Sequence, residues 1–158
     1  VLSKRIFAAV AAVTMLALFG CNTAPPEPRP LPVNSSEWTA SEWDAFVRFV
    51  QQSGYDQMAG RANEGDVDAI NWEISRLWPN PNDAAQMRYI VNRESRYQPW
   101  AKNPRSSASG LTQQLDIHAW RYERRGWDWN TDRFDAFKNL AIARDLYDAA
   151  GFSPWRCC

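Results

Sequence analysis

The chain has one His, three Cys and no surplus of charge, with 18 Lys+Arg set against 18 Asp+Glu in 158 residues. Each shortage closes a class of function. Without extra Lys and Arg there is little to displace counterions from a phosphate backbone, so no nucleic-acid partner is expected. A single His, with two of the three Cys adjacent at Cys157 and Cys158, cannot supply the spaced four-ligand sets of structural zinc. Neither a metal nor another cofactor is expected. The longest apolar run, Ile6 to Phe19, falls short of the roughly 20 residues of a membrane-spanning helix. Sustained alternation of apolar and polar residues is missing too, which argues against a sheet. Trp, by contrast, is abundant. Nine Trp and five Tyr supply flat amphipathic rings, which by default pack a small core.

The beginning of the chain reads as an address. Lys4 and Arg5 precede the apolar run, which ends in Leu18-Phe19-Gly20-Cys21. This is the layout of a signal segment over residues 1–20. Its end resembles the bacterial lipobox, which implies a lipidated N-terminus at Cys21. Five Pro fall between Cys21 and Ser36, so residues 21–37 are expected to form an extended tether of about 3 Å per residue. Adjacent Cys rarely bridge each other without strain, and Cys157 and Cys158 carry no functional reading.

Residues 38–158 have the length of one domain and a mainly helical pattern. Trp43, Phe46, Val47 and Val50 recur at helical spacing after a candidate cap, Ser41, with Gly54 as the expected stop. Val67, Ile70, Ile74 and Leu77 form a second stripe that ends before Asn80-Pro81. A third helix is expected from Asn82, with Met87, Ile90 and Val91 facing inward. The last begins near Thr131, carries Phe134, Phe137, Leu140, Ala143 and Tyr147, and stops at Gly151. Between them, residues 103–114 form the longest irregular part.

One carboxylate breaks this pattern. Glu94 continues the stripe of Met87, Ile90 and Val91 at i+7, i+4 and i+3, which places it on an apolar face at the end of a helix. Burial and the negative end of the helix dipole both favour the neutral acid, as a general acid requires. The plainer alternatives are a structural ion pair with Arg88, Arg93 or Arg96, or a helix that ends earlier and leaves Glu94 in solvent.

The surrounding run, IVNRESRYQPWAKNPRSSASGLTQ from Ile90 to Gln113, carries three ordered pieces. Glu94-Ser95 closes a helix, Pro99-Trp100-Ala101-Lys102-Asn103 follows, and Ser109-Gly110-Leu111-Thr112-Gln113 comes some fifteen residues after the Glu. This order resembles the soluble lytic transglycosylase (SLT) domain of the lysozyme-like superfamily, and the ending from Phe134 to Trp155 looks like that family's last helix. The resemblance covers roughly residues 82 to 155. It implies a lysozyme-like helical domain with an irregular active-site loop region, and peptidoglycan glycan strands as substrate. Glu94 matches the catalytic acid that protonates the glycosidic oxygen between N-acetylmuramic acid and N-acetylglucosamine. Ser95, Ser109, Gly110, Leu111, Gln113 and Tyr147 match positions that shape or line the cleft. The Gln amide there can both donate and accept. Two departures stand out: the Ala-Tyr-Asn motif of many members is missing, with Asn139 as the stand-in for its Asn, and Thr112 occupies a site that is often Met or Phe.

In transglycosylase-like members one Glu serves as acid and then as base, closing a 1,6-anhydro ring on the muramic acid. A hydrolase (a muramidase) would instead need a second carboxylate. Asp116, Asp128, Asp132 and Asp135 are the candidates, each with an ordinary alternative as a solvated residue or helix cap. A peptidoglycan-binding lipoprotein without turnover is the other alternative. Between Gln86 and Trp127 eight basic residues face three acidic ones, a local net of +5 that suits an anionic polymer or an ordinary solvated face. His118 is expected to be a surface or packing residue, and Trp100, Trp120, Trp127 and Trp129 to pack rather than stack on sugar. The complete expectation is an exported, monomeric lipoprotein, held to a membrane by its N-terminal lipid and facing the cell wall or periplasm.

Overall fold

A computed structural model of the chain describes residues 39–156. The signal segment, Cys21, the Pro-rich tether, Cys157 and Cys158 lie outside the described residues. Six helices and two 3-10 turns make up the described part, in the order α1 (Ala40–Asn63), α2 (Val67–Leu77), α3 (Pro81–Ser95), a 3-10 turn (Asp116–His118), α4 (Ala119–Glu123), α5 (Trp129–Asp132), α6 (Ala136–Ala150) and a second 3-10 turn (Ser153–Trp155). Among the described residues, no helix is long and apolar enough to cross a membrane.

α2 is the centre of the assembly, packing on α1, α3 and α6. Its Ile70 and Ile74 are fully buried, as their spacing predicts, while Val67, at the first turn, stays exposed. Asp66 caps it by accepting from the amides of Asp68 and Ala69. α3 begins one residue before the expected Asn82, with Pro81 in its first turn, where a missing N–H costs nothing, and Asn80 as the cap. Met87, Ile90 and Val91 are buried in one core with Ile70, Leu111, Phe137, Leu140 and Trp155, and α3 packs on α2.

Two helices depart from expectation. α1 starts from Thr39, not Ser41: the Thr39 hydroxyl accepts from the Glu42 amide and the Glu42 carboxylate accepts from the Thr39 amide, a reciprocal capping box. It also runs straight through Gly54 and Gly60 to Asn63. The residues of α1 that meet the core are Tyr55, Met58, Ala59 and Ala62, a second stripe at i, i+3, i+4 and i+7. Trp43, Val47 and Val50 are exposed. α6 begins at Ala136 rather than near Thr131, because Asp128 and Asp135 each start a helix of their own. Asp128 caps α5, Asp135 accepts from the Lys138 amide to cap α6, and Phe134 falls in the turn between. The expected stop at Gly151 is observed, with φ of 58°.

Candidate active site

α3 ends abruptly one residue after Glu94. Ser95 is buried, and its hydroxyl donates to the Val91 carbonyl one turn back. Arg96 and Tyr97 then both take left-handed backbone conformations, at φ of 53° and 61°. Two such non-glycine residues in a row are costly, on the order of 1–3 kcal/mol each, and persist only where the surroundings fix them. Here the Tyr97 ring packs on the core and its hydroxyl reaches Asn71. The reversal leaves Glu94 on the last turn of a helix whose next residues lead away from it.

The Glu94 side chain is 11% exposed. Its Oε1 accepts two bonds from Arg93, from Nε at 3.2 Å and from Nη2 at 2.7 Å. The same Nη2 donates to the Trp155 carbonyl at 2.6 Å. Of the three Arg pairings open in the sequence, the structure makes the one with Arg93. Among the described residues Oε2 has no hydrogen-bond partner, so one carboxylate oxygen is held and the other is available for chemistry.

Glu94 lines a cavity of about 380 Å³ together with Asn103, Thr112, Gln113, Gln114, His118 and Trp155, among others. That volume is within the usual range for a small-ligand site. Glu94 is the only carboxylate among the described residues that line it. The four Asp residues weighed as a second carboxylate are elsewhere: Asp128 and Asp135 cap helices, Asp132 pairs with Lys138 at 2.8 Å, and Asp116 is exposed. Nor do any three His, Cys, Asp or Glu side chains among the described residues gather as a metal site.

The wall opposite α3 is the irregular loop, and a buried polar cluster builds it. The Asn139 side-chain oxygen accepts from the Thr112 amide at 3.1 Å and hydroxyl at 2.8 Å, and its Nδ2 donates to the Arg133 carbonyl. Gln114 donates to the Thr112 hydroxyl and to the Asn139 carbonyl, and accepts from the Tyr122 hydroxyl at 2.7 Å. Trp155 closes the cluster by donating its indole N–H to the Thr112 carbonyl. Burial pushes the Tyr122 phenol well above its ordinary value, so it stays neutral and donates. In such a cluster each buried polar atom has a partner, which is the condition for it to stabilise. Thr112 therefore spends its hydroxyl on Asn139 rather than on a bound molecule.

Gly110 is needed by the same cluster. Its φ is 78°, and a Cβ there would collide with the Asn139 amide and the Arg133 carbonyl. The turn aims Gln113, itself left-handed at φ of 49°, into the cavity. Gln113 Nε2 donates to the carbonyls of Gly110 at 3.0 Å and Ala101 at 3.3 Å. Its amide oxygen is left to accept, a narrower role than the donor-and-acceptor one the resemblance implies.

Of the residues singled out from the sequence, Glu94 and Gln113 thus share the cavity. Ser95, Ser109, Gly110 and Leu111 are buried behind it, Leu111 in the core and Ser109 with its hydroxyl on the Ser107 carbonyl. Tyr147 packs on Trp78 and Phe152 and donates to Asp83 at 2.8 Å, outside the lining. None of Trp100, Trp120, Trp127 and Trp129 lines the cavity; Trp127 and Trp129 pack edge-on against Tyr122. His118, read from the sequence as a surface or packing residue, does line it. Burial, and then the charge of Arg121, holds its imidazole below the ordinary value, so it is neutral at pH 7. Only its place at the end of a loop that folds back on α3 brings it there, and no local spacing signals that.

Residues 75–148 match the family model described as "Transglycosylase SLT domain". No curated protein and no solved structure matches the chain.

Proposed function

From the match of residues 75–148 to the transglycosylase SLT domain, a peptidoglycan-acting family, we propose that the chain cuts the β-1,4 bond between N-acetylmuramic acid and N-acetylglucosamine by a single-carboxyl mechanism at Glu94. The observation that carries this reading is that Glu94 is the one carboxylate among the described residues that line the cavity, with Oε1 held by Arg93 and Oε2 without a hydrogen-bond partner among those residues. Protonated Glu94 gives its proton to the glycosidic oxygen as the bond to C1 of the muramic acid breaks, and N-acetylglucosamine leaves with that proton. The substrate's own acetamido group stabilises the positive charge at C1. Glu94, now a carboxylate, takes the proton of the C6 hydroxyl, and O6 bonds to C1 to close the 1,6-anhydro ring. One proton enters and one leaves, and no water is consumed.

Arg93 acts in this scheme as a positioning residue. Its two bonds to Oε1 fix the carboxyl plane, so that Oε2 meets the substrate in one orientation. Gln113 Oε1 is suited to accept from a sugar hydroxyl or acetamido N–H, and neutral His118 to bond one more hydroxyl. Upstream, the reading places the domain on a Pro-rich tether from a lipidated Cys21, as a monomer facing the wall or periplasm.

The test is mass spectrometry of muropeptides released when the full chain is incubated with purified sacculi. Anhydro-muramyl products are expected. Products with reducing ends would replace this reading with hydrolysis, and no release would replace it with a binding protein.

A further inference from the structure

The cavity's two walls, α3 with Glu94 and the irregular loop with Gln113, are both hydrogen-bonded to one residue of the second 3-10 turn, Trp155. From its main chain, the carbonyl accepts from Arg93 Nη2 at 2.6 Å, the same nitrogen that holds Glu94 Oε1 at 2.7 Å. From its side chain, the indole N–H donates to the Thr112 carbonyl at 3.1 Å. Each bond thus lands one residue away from a residue of the site. A buried indole needs some acceptor, and that need accounts for the second bond but not for the pair.

The turn that carries Trp155 is itself held. The residue is 6% exposed and belongs to the same core as Ile90 and Leu140. Its amide closes the turn on the Phe152 carbonyl at 3.1 Å, the Phe152 ring packs beside the indole, and Pro154 has its φ fixed by its own ring. An indole is a rigid plane on two side-chain torsions, so a packed Trp between two hydrogen bonds transmits position rather than absorbing it.

We propose that Trp155 is a positioning residue for the cleavage, a strut that sets the separation of Glu94 and the Gln113 amide across the cleft. The proposal rests on the peptidoglycan-cleaving reading and deepens it: Gln113 holds the sugar, Glu94 reacts with it, and Trp155 keeps the two in register. A misplacement of about 1 Å between a bound substrate and the group that acts on it costs on the order of 10²-fold in rate. Because the loop wall binds and the α3 wall reacts, loosening the strut lowers kcat and leaves KM as it was.

The test starts from Trp155→Phe in the full chain, which keeps an aromatic ring in the core and removes the N–H. With solubilised glycan strands as substrate, kcat is expected to fall about tenfold or more with KM within about twofold. In an Arg93→Lys background, where a single ammonium replaces the fork that joins Glu94 to the turn, the same substitution is expected to add little, since both act on one carboxyl group. Apart from turnover, the NMR signal of the Arg93 Nε–H, identified by its loss in Arg93→Lys, is expected to shift in Trp155→Phe. If Trp155→Phe does not fold, Pro154→Gly takes its place, since it frees the turn and removes neither bond; a smaller loss of kcat at constant KM is then expected. Wild-type kcat with a lowered denaturant midpoint would make Trp155 an ordinary core residue and overturn the proposal. A rise in KM alone, an equal loss of kcat in both backgrounds, or an unmoved Arg93 signal would also overturn it. An active wild type with an unaffected variant overturns the strut and not the cleavage reading. A wild type that releases nothing, with an Arg93 signal that still answers to Trp155→Phe, overturns the cleavage reading and not the strut.

Discussion

Residues 40–50 and residues 108–114 contrast sharply. The first are regular helix, yet Trp43, Val47, Phe49 and Val50 are 42–50% exposed. The second form no helix or strand, yet Ala108, Ser109, Leu111, Thr112 and Gln114 are all buried. A 3.6-residue stripe reports that a helix could bury a face; whether it does depends on what the tertiary structure sets against it. An irregular loop, in turn, can be the most constrained part of a domain when side chains satisfy its backbone. The first segment should therefore tolerate substitution and the second should not.

The most severe break of that contrast is Gly110→Ala. A methyl group at a left-handed position, in collision with Asn139 and the Arg133 carbonyl, is expected to cost about 3 kcal/mol or more, read as a fall in the denaturant midpoint. Asn139→Ala comes next. It strips the Thr112 amide and hydroxyl and the Arg133 carbonyl of their partner in a buried site, for roughly 2–4 kcal/mol in the same measurement. On the other side, Val50→Ser should change stability by no more than about 0.5 kcal/mol. If Val50→Ser cost as much as Asn139→Ala, the contrast would be wrong.

The smallest effect is a pH slope at the edge of the loop. The native pKa of His118 lies below its ordinary value, so the unfolded chain binds the proton first and stability falls as pH drops from about 6.5 through the lowered native pKa. Above that window the group contributes nothing to the slope. His118→Gln should flatten this part of the stability profile and leave the rest.

The same contrast explains what was legible in the sequence. α2 and α3 were readable because their stripes face real partners, and Asn80-Pro81 punctuates them. α1 was readable as a helix but not in its extent. Gly54 and Gly60 have nothing within 4 Å of an added Cβ and act as no stop, and the burying stripe begins only at Tyr55. The start of α6 was misplaced because Asp128 and Asp135 divide one apparent stripe into two helices. At the site, Glu94 showed itself as a carboxylate on an apolar face, and Gly110 and Gln113 through their motif. His118 did not, and neither did the Thr112–Gln114–Tyr122 links, since contacts across an irregular loop leave no period in the sequence.

The central claim is that one carboxyl group carries the reaction, and the most direct measurement is muropeptide release from sacculi by the full chain with and without Glu94→Gln, folding being checked by circular dichroism. The account predicts that the amide, unable to give or take the proton, lowers release by roughly 10³-fold or more while the helical signal is unchanged. Release by the Glu94→Gln chain within a few-fold of wild type would contradict it.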